Sequence, residues 1–147
     1  MRRYGEPVDC TRRYTRRPGA YAILARGDQV LLTHQMEPEP EFQLPGGGID
    51  PGENPVSALH REVLEETGWS ISGLRWLTTY RRFTYMPEYD MWAEKLCHIY
   101  FARPVLRHGP PLEQGHTALW ATKEEALALL VNEGDRDFLA DFVSGAL

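Results

Sequence analysis

Two apolar runs near the start of the chain, Gly19 to Ala25 (GAYAILA) and Gln29 to His34 (QVLLTH), read as strands. Gly27-Asp28 between them makes the turn of a hairpin. The acidic, proline-broken stretch Met36 to Glu41 is expected to be a loop. A short apolar piece, Phe42 to Leu44, leads into Pro45-Gly46-Gly47-Gly48, which also reads as a loop because it offers no side chains to pack. The pattern then changes period. Asn54 is a good N-cap, Pro55 suits the first helical position, and Gly68 stands where a helix should stop.

Beyond the helix, Leu74 to Tyr85 and Trp92 to Ala102 are rich in Tyr, Thr, Phe, Trp and Ile and read as long strands around a loop, MPEYD. Ala118 to Ala121 reads as a short strand. Thr122 caps a helix running through Leu130, and the last dozen residues read as another. Strands interleaved with helices predict an α/β layered domain.

On the first helix, Val56, Leu59 and Val63 fall within an arc about 60° wide at roughly 100° per residue. Glu62, Glu65 and Glu66 occupy a neighbouring arc about 100° wide. One side is therefore expected to dock on a sheet while three carboxylates converge beside it. Such a cluster costs a few tenths of a kcal/mol per exposed pair and needs an offset. Acidic helix faces are usually just solvated. Here, however, the glutamates follow a glycine run whose bare backbone offers a reachable carbonyl, and Asp50 and Glu53 add oxygens. Hard cations such as magnesium prefer oxygen donors of this kind. Arg61, at the edge of the acidic face, is placed to orient a carboxylate.

Composition narrows the function further. The chain has 147 residues, 42% of them hydrophobic and 25% charged, which fits one globular domain. Its net charge of −5 argues against a dedicated nucleic-acid binder but not against a small phosphorylated substrate. Arg2, Arg3, Arg12, Arg13, Arg16 and Arg17 crowd the start, so residues 1–17 read as a basic arm, either simply solvated or helping to hold phosphate with planar guanidinium forks, and residues 18–147 as the domain proper. Cys10 and Cys97 are too far apart in sequence to make a disulfide framework or metal cluster. With no secretory leader and no membrane-length apolar run, a reduced, cytoplasmic protein is expected, with no membrane partner.

The run Gly47, Glu53, Arg61-Glu62-Val63, Glu65-Glu66, Gly68 resembles the Nudix box, with Leu44-Pro45-Gly46 resembling its lead-in. Its seven identities and one apolar class would recur by accident with a probability on the order of 10⁻⁷ per chain. Trp69 departs from the aliphatic residue that normally closes the box. The resemblance implies an α/β/α sandwich with a mixed β-sheet. It also implies one to three magnesium or manganese ions at the positions of Glu62, Glu65 and Glu66, with the carbonyl near Gly46 assisting. Glu53 would join through water or an arginine, and Arg61 would position Glu53 or Glu62. The implied reaction is water attack on a diphosphate linkage, such as that of a (d)NTP, ADP-ribose or dinucleoside polyphosphate. Glu62 is the first choice of base, with Glu113 the leading later-loop alternative and His116 and Glu94 behind it.

Specificity lies outside the box. Arg81 and Arg82 are adjacent on an expected strand, so one can reach a phosphate while the other meets solvent. Tyr85, Tyr89 and Trp92 are candidates to stack on a base, or simply to pack a rim. Glu113 also falls among the substrate-side residues. A small nucleotide-type diphosphate is the expected partner, no stable nucleic-acid partner is expected, and a homodimer is compatible with the chain. Two rival readings stay open: a non-catalytic nucleotide-binding regulatory domain, and an isoprenoid diphosphate isomerase using Cys97. The first should have lost box acids, and none is missing. The second needs a thiol that here falls within an expected strand.

Overall fold

The computed structural model describes residues 1–147. Its strands are β1 (Arg3–Gly5), β2 (Thr15–Arg26), β3 (Gln29–Gln35), β4 (Glu41–Gln43), β5 (Gly46–Gly48), β6 (Trp69–Met86), β7 (Met91–Arg107) and β8 (His116–Thr122). The helices are α1 (Pro55–Thr67), α2 (Lys123–Leu129) and α3 (Glu133–Val143). The main path through the sheet is β1-β6-β7-β2-β3-β4, with β5 paired to β2 and β8 to β3. Two pairings, β1 with β6 and β2 with β7, are parallel, and the other named strand pairings are antiparallel. The sheet is mixed, as expected.

Helices cover both faces, and β2 records this in its alternation. Ala20, Ala22 and Leu24 pack in one cluster with Leu59 and Val63 of α1. Ile23 packs in another with Ala126 of α2, Leu130, and Phe138 and Leu139 of α3. The same division runs along β3, where Leu31 joins the first cluster and Val30 and Leu32 the second. The result is the α/β/α sandwich. No helix is long and apolar enough to cross a membrane.

The local signals at helix ends behave as expected. The Asn54 side chain accepts a hydrogen bond from the Ser57 N–H at 2.8 Å. Gly68 takes φ 78°, a left-handed value that closes α1 without a Cβ penalty. Thr122 and Glu125 form a reciprocal capping box on α2. One helical position differs from expectation: Val56 is 42% exposed, whereas Leu59 and Val63 are fully buried. Val56 lies in the first turn of α1.

Two other expectations change. Residues 15–17, placed in the basic arm by composition, belong to β2 and pair with Ala93, Glu94 and Lys95 of β7. Arg3–Gly5 add a strand at the β6 edge. The glycine run is also a strand rather than a loop. β2 pairs with β3 only at Ala25 and Arg26, next to the turn, and farther back it pairs with β5 at Gly19, Ala20 and Tyr21. The sheet splays where β3 leaves β2, and the glycine strand takes the vacated edge.

Candidate active site

The glycine strand is what lets α1 come close. A Cβ on Gly46 would meet the backbone of Ala20 and Tyr21, and Gly46 has φ 147°. A Cβ on Gly47 would lie 2.5 Å from the Glu62 carboxyl carbon. Only bare backbone fits between β2 and the acidic face of the helix. The Gly46 N–H then donates to Glu66 Oε1 at 2.9 Å.

Arg61 ties the acids together. Its Nε donates to Glu53 Oε2 at 2.8 Å and its Nη2 to Glu53 Oε1 at 2.9 Å, a two-point fork. Nη1 donates to Glu62 Oε1 at 2.9 Å and to Glu65 Oε2 at 3.3 Å, while Nη2 also reaches the Gly48 carbonyl at 3.2 Å. Asp50 is the more exposed partner, 3.5 Å away. Glu53 is held at a pKa of about 2, first by the Arg61 hydrogen bonds and then by the Asp50 N–H. The arginine thus positions both Glu53 and Glu62.

A later loop completes the cluster. The N–H groups of Leu112 and Glu113 both donate to the Glu65 carbonyl, at 2.8 and 2.9 Å, so this loop satisfies an otherwise orphaned carbonyl at the end of α1. That contact brings the Glu113 carboxylate to the box. Oxygens of Glu62, Glu65 and Glu113 lie within 4.8 Å of one another, as do donor atoms of Glu66, Glu113 and His116. His116 Nδ1 is 3.6 Å from Glu66 Oε2 and 3.1 Å from Thr33 Oγ1.

Burial pushes the Glu66 carboxyl well above the usual carboxylate range; the Gly46 N–H opposes this, and Glu62, Glu113 and Glu65 add to it. Burial also raises Glu62, against the pull of Arg61. These converging oxygens fit a hard divalent cation. Such a cation would offset both the desolvation and the mutual repulsion of the acids.

The cluster opens onto a cleft of about 910 Å³ whose lining includes Glu62, Glu66, Glu113, His116, Gly46 and Gly47. Arg82, Tyr85 and Tyr89 line it as well. Arg81 does not: it sits on the other face of β6, its guanidinium 5.9 Å from the Phe83 ring centroid. Trp92 is also outside the cleft, packed against Tyr14 and under the Arg12 guanidinium at 3.7 Å. Glu94 is engaged by Arg16 at 3.0 Å. Tyr85, which lines the cleft, donates its hydroxyl to Asp90 in the turn between β6 and β7.

Lys95, Asn132 and Asp135 line the cleft without a sequence signal of their own, and Arg17 lines it as a strand residue of β2 where the sequence placed it only in a basic arm. Strand register places Arg17 and Lys95 there, and it could have been used only once β2 and β7 were known to be neighbours. Cys97 lines the cleft too, but burial pushes its thiol up to about 11. That is a poor starting point for acid–base chemistry near neutral pH.

The NUDIX domain family model matches residues 15–142. An RNA pyrophosphohydrolase of Helicobacter pylori (strain G27) is 44% identical over 57 residues, covering 35% of this chain and 37% of that protein. A CMP-5'-(N-acetyl-N-hydroxy-3-aminopropyl)phosphonate hydrolase of Streptomyces rubellomurinus is 29% identical over 133 residues, 86% of this chain and 61% of that one. The chain therefore spans less than two thirds of either relative's length. Among solved structures, a NUDIX hydrolase from Nitrosomonas europaea superposes with a TM-score of 0.74 at 22% identity, over 89% of this chain and 90% of that one. At that identity the likeness is one of fold.

Proposed function

The chain belongs to the Nudix family, and from that premise we propose that it hydrolyses a diphosphate linkage in a nucleotide-type substrate with the help of magnesium or manganese. The observation that carries this reading is the convergence of Glu62 and Glu65, and of Glu66 and His116, on Glu113, beside a cleft of about 910 Å³ whose lining includes Glu62, Glu66, Glu113 and Arg82. Glu62, Glu65 and Glu66, with the backbone at Gly46, are the residues to hold the ion. When bound, the ion supplies charge neutralisation on the diphosphate and a more acidic water.

The chain's own residues do the positioning. Arg61 keeps Glu53 and Glu62 in fixed orientation, and the Gly46 N–H holds one oxygen of Glu66. Arg82 is a substrate-side cation for phosphate, and Tyr85 and Tyr89 line the same cleft. In the reaction, the oxygen of water bonds to phosphorus while the bridging P–O bond breaks and its electron pair leaves with the departing phosphate. The proton of the water passes to Glu62, which faces the glycine strand, with Glu113 as the loop acid beside it. Little covalent chemistry is asked of the protein, as expected for phosphoryl transfer.

The test is product release from (d)NTPs, dinucleoside polyphosphates, ADP-ribose and nucleotide sugars, with and without magnesium. Magnesium-dependent cleavage of one class supports the hydrolase. Binding of a nucleotide with no turnover across the panel would instead favour a regulatory binding domain.

A further inference from the structure

Arg17, Lys95 and Arg82 lie opposite one another on three neighbouring strands. Arg17 of β2 pairs with Lys95 of β7, and Lys95 pairs in turn with Arg82 of β6. All three line the cleft. Like charges set directly opposite in a sheet destabilise it, and a protein of net charge −5 has carboxylates to spare.

The next position along shows the ordinary solution. There Arg16 of β2 faces Glu94 of β7 and forms an ion pair at 3.0 Å. On the cleft face no carboxylate lies within ion-pair distance of any of the three cations. Asp135, buried near Arg82 and Lys95, accepts the Tyr80 hydroxyl at 2.7 Å instead. Two of the cations are supported by aromatic faces: the Arg17 guanidinium lies 4.7 Å from the Tyr89 ring centroid, and the Lys95 ammonium 5.9 Å from that of Tyr21. An aromatic face holds a cation in place and leaves its N–H donors free.

The row also stands at a definite place relative to the acids. Tyr21, whose hydroxyl feels both Glu62 and Glu66, pairs with Gly46. Arg17 is four residues back along β2, about 13 Å at strand rise. That separation along the backbone leaves room on the strand for an anionic group beyond a diphosphate seated at Glu62 and Glu66.

We infer that Arg17, Lys95 and Arg82 form a metal-independent phosphate subsite, and that the substrate carries at least one phosphate beyond the scissile diphosphate. This rests on the hydrolase reading above for its second half only. The class favoured is a nucleoside polyphosphate, as opposed to a sugar-linked diphosphate such as ADP-ribose.

The test begins with inorganic tripolyphosphate binding, measured by calorimetry in EDTA on the full chain. Lys95→Met and Arg82→Met should each weaken binding about tenfold or more, as loss of a charge-assisted contact does. Arg103→Gln, an exposed site elsewhere on β7, should not. Melting temperatures of the two row variants at low salt should hold or rise, because a repulsion has been relieved; a purely structural role would lower them. With magnesium, Lys95→Met should raise KM for ATP about tenfold and leave KM for ADP-ribose within about twofold.

Tripolyphosphate binding equal to wild type in both row variants, or equally weakened in Arg103→Gln, overturns the subsite. Equal loss on ATP and ADP-ribose overturns the polyphosphate assignment. A wild-type protein that binds tripolyphosphate through the row yet turns over nothing on the magnesium panel supports the subsite and removes the hydrolase reading alone.

Discussion

Arg61 grips Glu53 at two points, Nε to Oε2 at 2.8 Å and Nη2 to Oε1 at 2.9 Å, while its remaining nitrogen spans Glu62 and Glu65. Only a planar fork can do this, since a lysine ammonium is a single point. Arg61→Lys should therefore keep the fold but lower kcat/KM by about 10–100-fold, the usual cost of losing a group that orients metal ligands. Steady-state kinetics with a circular-dichroism melt checks both halves, and full activity would mean the fork is dispensable.

Glu66 is 5% exposed, with one oxygen on the Gly46 N–H. A glutamine can keep that hydrogen bond through its amide oxygen while losing the charge. Glu66→Gln should abolish most turnover and leave the melting temperature unchanged or higher, because a buried charge has been removed. Near-normal turnover would take Glu66 out of the metal set.

Neighbouring glycines should respond differently to a single methyl. Gly47→Ala puts a Cβ 2.5 Å from the Glu62 carboxyl carbon, so it should displace that carboxylate and depress turnover. Gly48→Ala meets nothing within 4 Å and should be tolerated. Activity assays on the pair distinguish crowding of Glu62 from a general need for glycine in β5, which would impair both variants alike.

Leu59 is fully buried and Val56 is 42% exposed, one turn apart on the same helix. Leu59→Ala should cost roughly 2–5 kcal/mol of stability. Val56→Ala should stay within about 0.5 kcal/mol, as surface substitutions do. Chemical denaturation of both variants tests the docking of α1, and equal losses would mean the helix is rotated from the position described.

The Cys97 thiol, pushed up to about 11 from an ordinary 9 by burial, should resist modification in the folded protein. A thiol reagent at pH 8 should titrate one cysteine, the exposed Cys10, and two after denaturation. The sign for stability follows from the raised value: the folded state favours the protonated thiol, so its contribution is intact below about 9 and is lost as pH rises through about 11. Replacing Cys97 by Ala should flatten the fall in stability over that interval. An unchanged slope would place the alkaline sensitivity elsewhere.

What the chain could determine from its order of residues was whatever acts over a few positions. Asn54, Pro55 and Gly68 bound α1 because caps work on backbone groups within one turn. Helical spacing put Glu62, Glu65 and Glu66 on one side for the same reason, and the box motif is an arrangement along a single segment. Arg61 was legible too, lying next to Glu62 and one turn from Glu65. Tertiary structure decided everything that depends on which strands become neighbours. The glycine run became β5 because β3 leaves β2 and an edge needs a partner that α1 can approach closely. Glu113 joined the acids because its loop answers the Glu65 carbonyl, 48 residues earlier by number, and Arg81 was turned away from the cleft by register. Arg17, Lys95 and Arg82 form a row only in the sheet. Strand pairing is a long-range event, and no local propensity specifies the partner or the register.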